Sequence, residues 1–265
     1  MTVFRPKLWT AVGAAALLAA CTPGGEGGEK AGEGGEGGAP AGAPAGEGGE
    51  KAGGEGGERA GGEGGAGEAG AAGAYRNVDA ESRSALRLAH LSGFFLIAQQ
   101  VQKTEGDEAA AALAGQGMLE VFDPAKDAFA KTGVDEKALR DAAAKGDAAS
   151  LQRALSALDA ARAKVGGDSR QIVAGLVDIA AGLYGNVVAD GAVDPIEYQH
   201  SLGAALSAKA EAARQGAPAE VVRLRPQIDG FVKLWPTPAA PADAAKATPV
   251  GKVRAEASRL QLELQ

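Results

Sequence analysis

Cysteine occurs once in the 265 residues, at Cys21. One thiol excludes an intrachain disulfide, a thiolate metal cluster and a cysteine nucleophile elsewhere in the chain. Histidine is nearly as scarce, with His90 and His200 alone, and these do not stand four residues apart as a helical metal-binding pair would. No apolar run approaches the roughly 20 residues that a membrane-spanning helix needs. Alternating β-branched residues, the mark of a half-buried strand, are nearly missing. No Ser–His–Asp arrangement stands out and no Gly-x-Gly-x-x-Gly follows a strand, so neither a hydrolase nor a dinucleotide-binding fold is indicated. The chain is expected not to be an enzyme.

What is present begins with an export-type leader. Arg5 and Lys7 supply positive charge, residues 8–18 form a short apolar run, and Leu18-Ala19-Ala20-Cys21 closes it. The run is too short to cross a hydrocarbon core of about 30 Å, so it reads as a cleaved leader and not as a permanent span. The closing tetrad resembles the lipobox of bacterial lipoproteins and holds the chain's only cysteine. That resemblance implies cleavage before Cys21, acylation there, and a protein hung from a membrane by its lipid. Each acyl chain contributes about 0.8 kcal/mol per buried methylene, and more than one makes the anchor stable. Thr22 follows the cysteine. By similarity to enterobacterial sorting rules, the lack of Asp there implies the outer membrane, facing the periplasm.

Residues 22–74 contain no Leu, Ile, Val, Phe or Trp. The octad GEGGE(K/R)AG recurs at 25–32, 46–53 and 54–61, with an APAGAPAG insert at 39–46. Such a segment buries too little apolar surface to offset the entropy of ordering it, so residues 21–74 are expected to be a lipidated cysteine followed by a disordered Gly/Glu-rich tether. A Gly-rich coil of this length spans about 40 Å. The tether carries ten Glu against two Lys and one Arg, a net of −7. The leader adds +2, which leaves residues 75–265 at −2 within the chain's total of −7. A near-neutral domain gives no electrostatic reason to expect a nucleic-acid partner.

From Tyr75 onward the good helix formers Ala, Leu, Glu, Lys, Arg and Gln dominate. Leu86, His90, Phe94, Ile97 and Val101 recur at helical spacing, with Leu88, Leu91 and Phe95 widening the face. Leu151, Leu155 and Leu158 repeat the pattern, as do Ile172, Leu176, Ile179 and Leu183. Val253, Ala257, Leu260 and Leu264 form a narrower stripe at the end. Asp107, Asp123, Asp135, Asp147, Asp168 and Asp194 are the expected N-caps. At Asp194, Pro195 takes the first helical position, Glu197 is placed to reach back as in a capping box, and Val193 to staple onto Tyr198. Breaks fall near Gly133, Gly166-Gly167, Asp190-Gly191 and Gly216. The pattern predicts an all-α domain over 75–265, an antiparallel bundle of about seven or eight helices. Residues 235–249, rich in Pro, read as an extended strap before a last helix that packs back.

Few side chains are available for chemistry. His90 lies in the apolar stripe of the first helix, which fits either a packed core residue or a contact reaching inside the bundle, where bundle sites are built. Glu120, among Met118, Leu119, Val121 and Phe122, is its natural carboxylate partner. Tyr184, Glu197 and Tyr198 are candidate ligand contacts, each with a structural role available: core packing for the tyrosines and capping for Glu197. His200 lies two positions from Tyr198 and is expected on a solvated face.

Two segments carry a resemblance. Residues 86–98, Leu-Arg-Leu-Ala-His-Leu-Ser-Gly and onward, resemble the first helix of small exported imelysin-like and EfeO-like proteins. Residues 183–199, with Tyr184, Asp190-Gly191 and Glu197-Tyr198, resemble a stretch of the same proteins and of periplasmic regions fused to high-affinity iron permeases. The resemblance implies a helical periplasmic domain tied to iron or another metal, with His90 and Glu120 as ligands. This sequence departs from the pattern at that site. Gly93 stands where imelysins place a Glu three residues after the His, and Gly115-Gln116-Gly117-Met118-Leu119-Glu120 replaces a His-Pro-x-Glu-Glu stretch. Two functions are therefore open: a tethered binding or accessory module for a metal or small ligand, and a structural lipoprotein that holds an envelope protein partner.

Overall fold

The structure, a computed structural model, describes residues 66–189 and 191–265. The leader, Cys21 and the expected tether up to residue 65 lie outside the described residues. Within them the chain is an all-α bundle of eleven helices, eight of which have ten residues or more. No helix among the described residues is long and apolar enough to cross a membrane.

A helix begins within the segment that the composition marks as tether. Helix α1 spans Ala66–Arg76, so residues 66–74 belong to the bundle, and Ala71 and Ala74 are buried. A search for large apolar side chains overlooks alanine, the best helix former, which packs a helix closely without bulk. Here α1 lies against α7, Ser169–Tyr184.

Helix α2, Ala80–Glu105, is the axis of the domain. Its buried residues circle the helix, from Leu86 and Leu88 to Leu91, Phe94, Phe95 and Ile97. A helix apolar all round must be enclosed, and α2 packs against α6 (Ala148–Arg162), α7, α8 (Pro195–Ala213) and α3 (Asp107–Gly117). Gly106 alone joins α2 to α3 with φ +94°, a conformation that a side chain would strain. Where α2 crosses α8, Gly93 faces Gly203, and a Cβ added to either would lie within 3 Å of the other's backbone.

The remaining helices close around this axis. Helix α5, Glu136–Lys145, packs on α3 and α6, while α10, Arg225–Val232, packs on α8. Short helices α4, Lys126–Ala130, and α9, Ala219–Arg223, connect them. Between α7 and α8 a two-residue hairpin pairs Val188 with Val193 and Ala189 with Ala192. The last helix, α11, Val250–Leu264, buries the stripe Val253, Ala257, Leu260 and Leu264, and each fully buried leucine contributes about 1.5–3 kcal/mol.

Four expected caps are made: the carboxylates of Asp135, Asp147, Asp168 and Asp194 accept first-turn amides. Two are not. Asp107 sits inside the first turn of α3 and accepts from Gln102 at 3.0 Å. Asp123 opens a short 3₁₀ turn, Asp123–Ala125, and pairs with Arg140 at 2.7 Å. Asp79, which the sequence reading passes over, caps α2 by accepting from the Ser82 amide at 2.6 Å.

Candidate functional site

Helix α3 does not end as an α-helix. Residues Met118–Phe122 widen into a π-turn, a feature that often marks functional sites. Gly117 lets this turn approach α2, because a Cβ there would meet the Phe94 side chain at 2.7 Å. The approach leaves a cleft of about 370 Å³ whose polar lining is Tyr75 from α1, Arg87 and His90 from α2, Glu120 from the π-turn and His200 from α8. Phe94, Val121 and Leu183 supply apolar wall, with Ala71 and Ala72 from α1.

His90 is 4% exposed. The Tyr75 hydroxyl lies 2.6 Å from its Nδ1, and its Nε2 is buried without a hydrogen-bond partner. Burial, aided by the nearby His200, lowers its pKa to about 3, so the imidazole is neutral at neutral pH. A buried polar atom left unsatisfied costs about 1–3 kcal/mol, and native folds rarely leave one without reason.

His200 is buried, not solvated. Helix α8 is covered by α2, α7 and α10 together, so leaving the Tyr198 face does not bring a residue into water. Its Nε2 lies 2.8 Å from Gln116 Oε1, and its Nδ1 lies 3.4 Å from Glu120 Oε2. Burial lowers its pKa to about 4, with the charge of Asp194 pulling the other way. The ring of Phe94 stands between the two imidazoles, 5.6 Å from His90 and 4.6 Å from His200 by centroid. The carboxylate expected beside His90 lies nearest His200 instead, and Glu120 and His90 meet as lining of one cleft. The guanidinium of Arg87 sits 5.5 Å from the centre of the Tyr75 ring.

The other candidates lie elsewhere. Tyr184 and Tyr198 are fully buried, and their hydroxyls donate to the carbonyls of Thr248 and Thr237, at 2.8 and 3.0 Å. They fasten the strap, and Trp235 packs edge-on against Tyr184 and Phe231. Burial raises the pKa of both phenols. Glu197 makes no capping box: the Asp194 amide it would reach donates instead to Val187 O at 2.8 Å. Its Oε2 is buried without a partner, and its pKa is raised by burial and then by Asp194. Glu197 and His200 have carboxylate-x-x-His spacing on α8, yet both His200 nitrogens face the π-turn and α3.

Among the described residues no three His, Asp or Glu side chains converge as a metal site. His90, His200 and Glu120 line the cleft without forming a ready shell. An ion would need rearrangement, or oxygen atoms from a ligand, to complete its coordination.

Of three larger clefts, one of about 470 Å³ lies between α7 and α11, and those of about 560 and 500 Å³ share Arg162 and Arg214. Their charges are used internally: Glu211 takes Arg162 at 2.5 and 3.2 Å, and Asp159 takes Arg214. The His90 cleft differs in carrying an unsatisfied buried group. No protein-family model, curated protein or solved structure matches the chain.

Proposed function

We propose that this chain is an envelope lipoprotein, anchored through acylated Cys21, whose helical domain binds a small ligand in the cleft between α1, α2, the π-turn and α8. The observation that carries the reading is His90 Nε2, a buried polar atom on the cleft wall with no partner. The cleft volume of about 370 Å³ lies at the small end of the range for ligand pockets, about 300–1,000 Å³. Apolar wall and a few placed polar groups are the usual make-up of such pockets. The lipobox-like tetrad supports export and anchoring, and the resemblance to imelysin-like proteins supports a periplasmic setting.

A small molecule fits better than a bare metal ion, since no three His, Asp or Glu side chains converge among the described residues. A purely structural lipoprotein has less support. The exposed large apolar side chains Leu119, Val188, Ile196, Val222 and Leu262 stand on five different elements and suggest no single docking patch.

The test is a melting scan of the whole chain, wild type and His90→Gln, against small organic ligands and iron, zinc and copper salts. A ligand at one hundred times its dissociation constant adds about 2.7 kcal/mol of stability. Wild type should respond to at least one organic ligand and His90→Gln should not. A response to metal salts alone would replace the small-molecule reading with the metal one, and no response at all would overturn both. Loss of membrane association in Cys21→Ser tests the anchor separately.

A further inference from the structure

Resting on the cleft as a binding site, we infer that its ligand is a small organic monocarboxylate with an apolar body, the carboxylate held between the Arg87 guanidinium and the Nε2–H of His90. Arg87 lines the cleft and stacks on the Tyr75 ring at 5.5 Å, and no ion pair engages it among the described residues. A planar guanidinium presents paired donors that match the two oxygens of a carboxylate. Arg87 follows His90 back along α2 by three residues, so the two side chains share one helix face.

His90 supplies the second donor through its tautomer. A neutral imidazole carries one ring proton. The Tyr75 hydroxyl lies 2.6 Å from Nδ1; we assign it as the donor there, which puts the ring proton on Nε2. The cleft then presents an N–H that lacks an acceptor. A ligand carboxylate is the acceptor that satisfies it.

The rest of the wall restricts the ligand further. Phe94, Val121, Leu183, Ala71 and Ala72 enclose the non-polar part. Glu120 stands on the same wall, its Oε2 3.4 Å from His200 Nδ1. Its negative charge opposes a doubly charged phosphate more strongly than a singly charged carboxylate. Neutral ligands, by contrast, forgo the paired charge-assisted bonds that a guanidinium makes to a carboxylate.

The experiment titrates hexanoate and its isostere hexanamide into the full chain, ¹⁵N-labelled at histidine, at pH 7. The imidazole resonances of His90 report the site, and the ligand-free spectrum should already show the proton on Nε2. Hexanoate should bind at least tenfold more tightly than hexanamide and move His90 Nε2. Arg87→Gln should remove that preference, while Arg87→Lys should retain part of it. Equal binding of acid and amide, or a preference that survives Arg87→Gln, would overturn the carboxylate assignment and leave the cleft as a binding site. Absence of any His90 response to either compound would overturn both.

Discussion

Gly93 on α2 and Gly203 on α8 meet backbone to backbone: a Cβ on Gly93 would lie 2.6 Å from the Gly203 carbonyl oxygen. This contact accounts for glycine at both positions. A glutamate at 93 would need the space that the backbone of α8 already fills. The crossing also draws α8 close enough to α2 for Ser207 to donate to the Ala89 carbonyl, and it brings His200 beside Phe94.

Gly93→Ala or Gly203→Ala should therefore destabilise the domain by about 1–3 kcal/mol, the usual cost of overpacking. Gly230→Ala is the control, since nothing lies within 4 Å of its added Cβ, and it should gain about 0.5–1 kcal/mol from helix propensity. Urea denaturation of the three variants checks both signs. Equal effects at all three positions would show that the crossing is not tight.

The histidines make stability depend on pH. His90 and His200 have folded pKa values of about 3 and about 4, against 6.5 for the free side chain. Below pH 6.5 the unfolded chain binds protons that the folded chain refuses. Their contribution is present above 6.5 and is lost as pH falls toward 4 and then 3. Each histidine adds a slope of up to about 1.4 kcal/mol per pH unit in that window. Denaturation midpoints at pH 7, 6 and 5 should fall for wild type, and less steeply for His90→Gln. A wild type with no such fall would mean that the rings are charged in the fold.

Glu197 acts with the opposite sense. Its folded pKa is raised by burial and by Asp194, so the folded chain holds the proton more firmly than the unfolded one. That contribution is complete below the free value of 4.5 and is lost as pH rises through the folded value. Glu197→Gln should thus be more stable than wild type at pH 7 and indistinguishable from it near pH 4. Asp194→Ala should cost about 0.5–2 kcal/mol, because its carboxylate accepts the amides of Ile196 and Glu197. Equilibrium unfolding of both variants at the two pH values separates the cap from the buried acid.

The Arg162–Glu211 pair is buried and bidentate, at 2.5 and 3.2 Å, with Ser169 adding a bond to the carboxylate at 3.3 Å. Removing one partner strands a charge, so Glu211→Leu alone should cost about 3–5 kcal/mol. Arg162→Met with Glu211→Leu should recover most of the loss, since apolar replacements of similar volume avoid the desolvation of both ions. A double-mutant cycle measures the coupling. A double variant as unstable as the single one would mean that the network orders the turn before α7 by more than charge balance.

Much of this bundle was legible because local rules and global packing agree. The stripe Val253, Ala257, Leu260 and Leu264 is buried as its spacing predicts, and Asp194 caps α8 with Pro195 at the first position. The site was less legible. His90 announced itself by sitting in an apolar stripe, whereas His200 was placed in solvent because one buried face was assumed for α8. A helix enclosed by three others has no such outside. Gln116 and Glu120 stand four apart and both reach His200, a signal available only once their partner is known. Tyr75 and Arg87 come together through tertiary folding of α1 onto the bundle, and no local pattern encodes that.

Helix α1 is where the preceding residues join the described bundle. The covalent path from Cys21 to the rest of the chain enters the bundle through α1, and Ala71, Ala72 and Tyr75 of that helix form one side of the cleft. The Tyr75 hydroxyl also meets His90 Nδ1. Any pull applied to the residues before α1 therefore arrives first at the wall that holds the imidazole in register, before it reaches α2 or α8. A load that peels α1 away would open the cleft and strip His90 of its tyrosine while leaving the Gly93–Gly203 crossing intact.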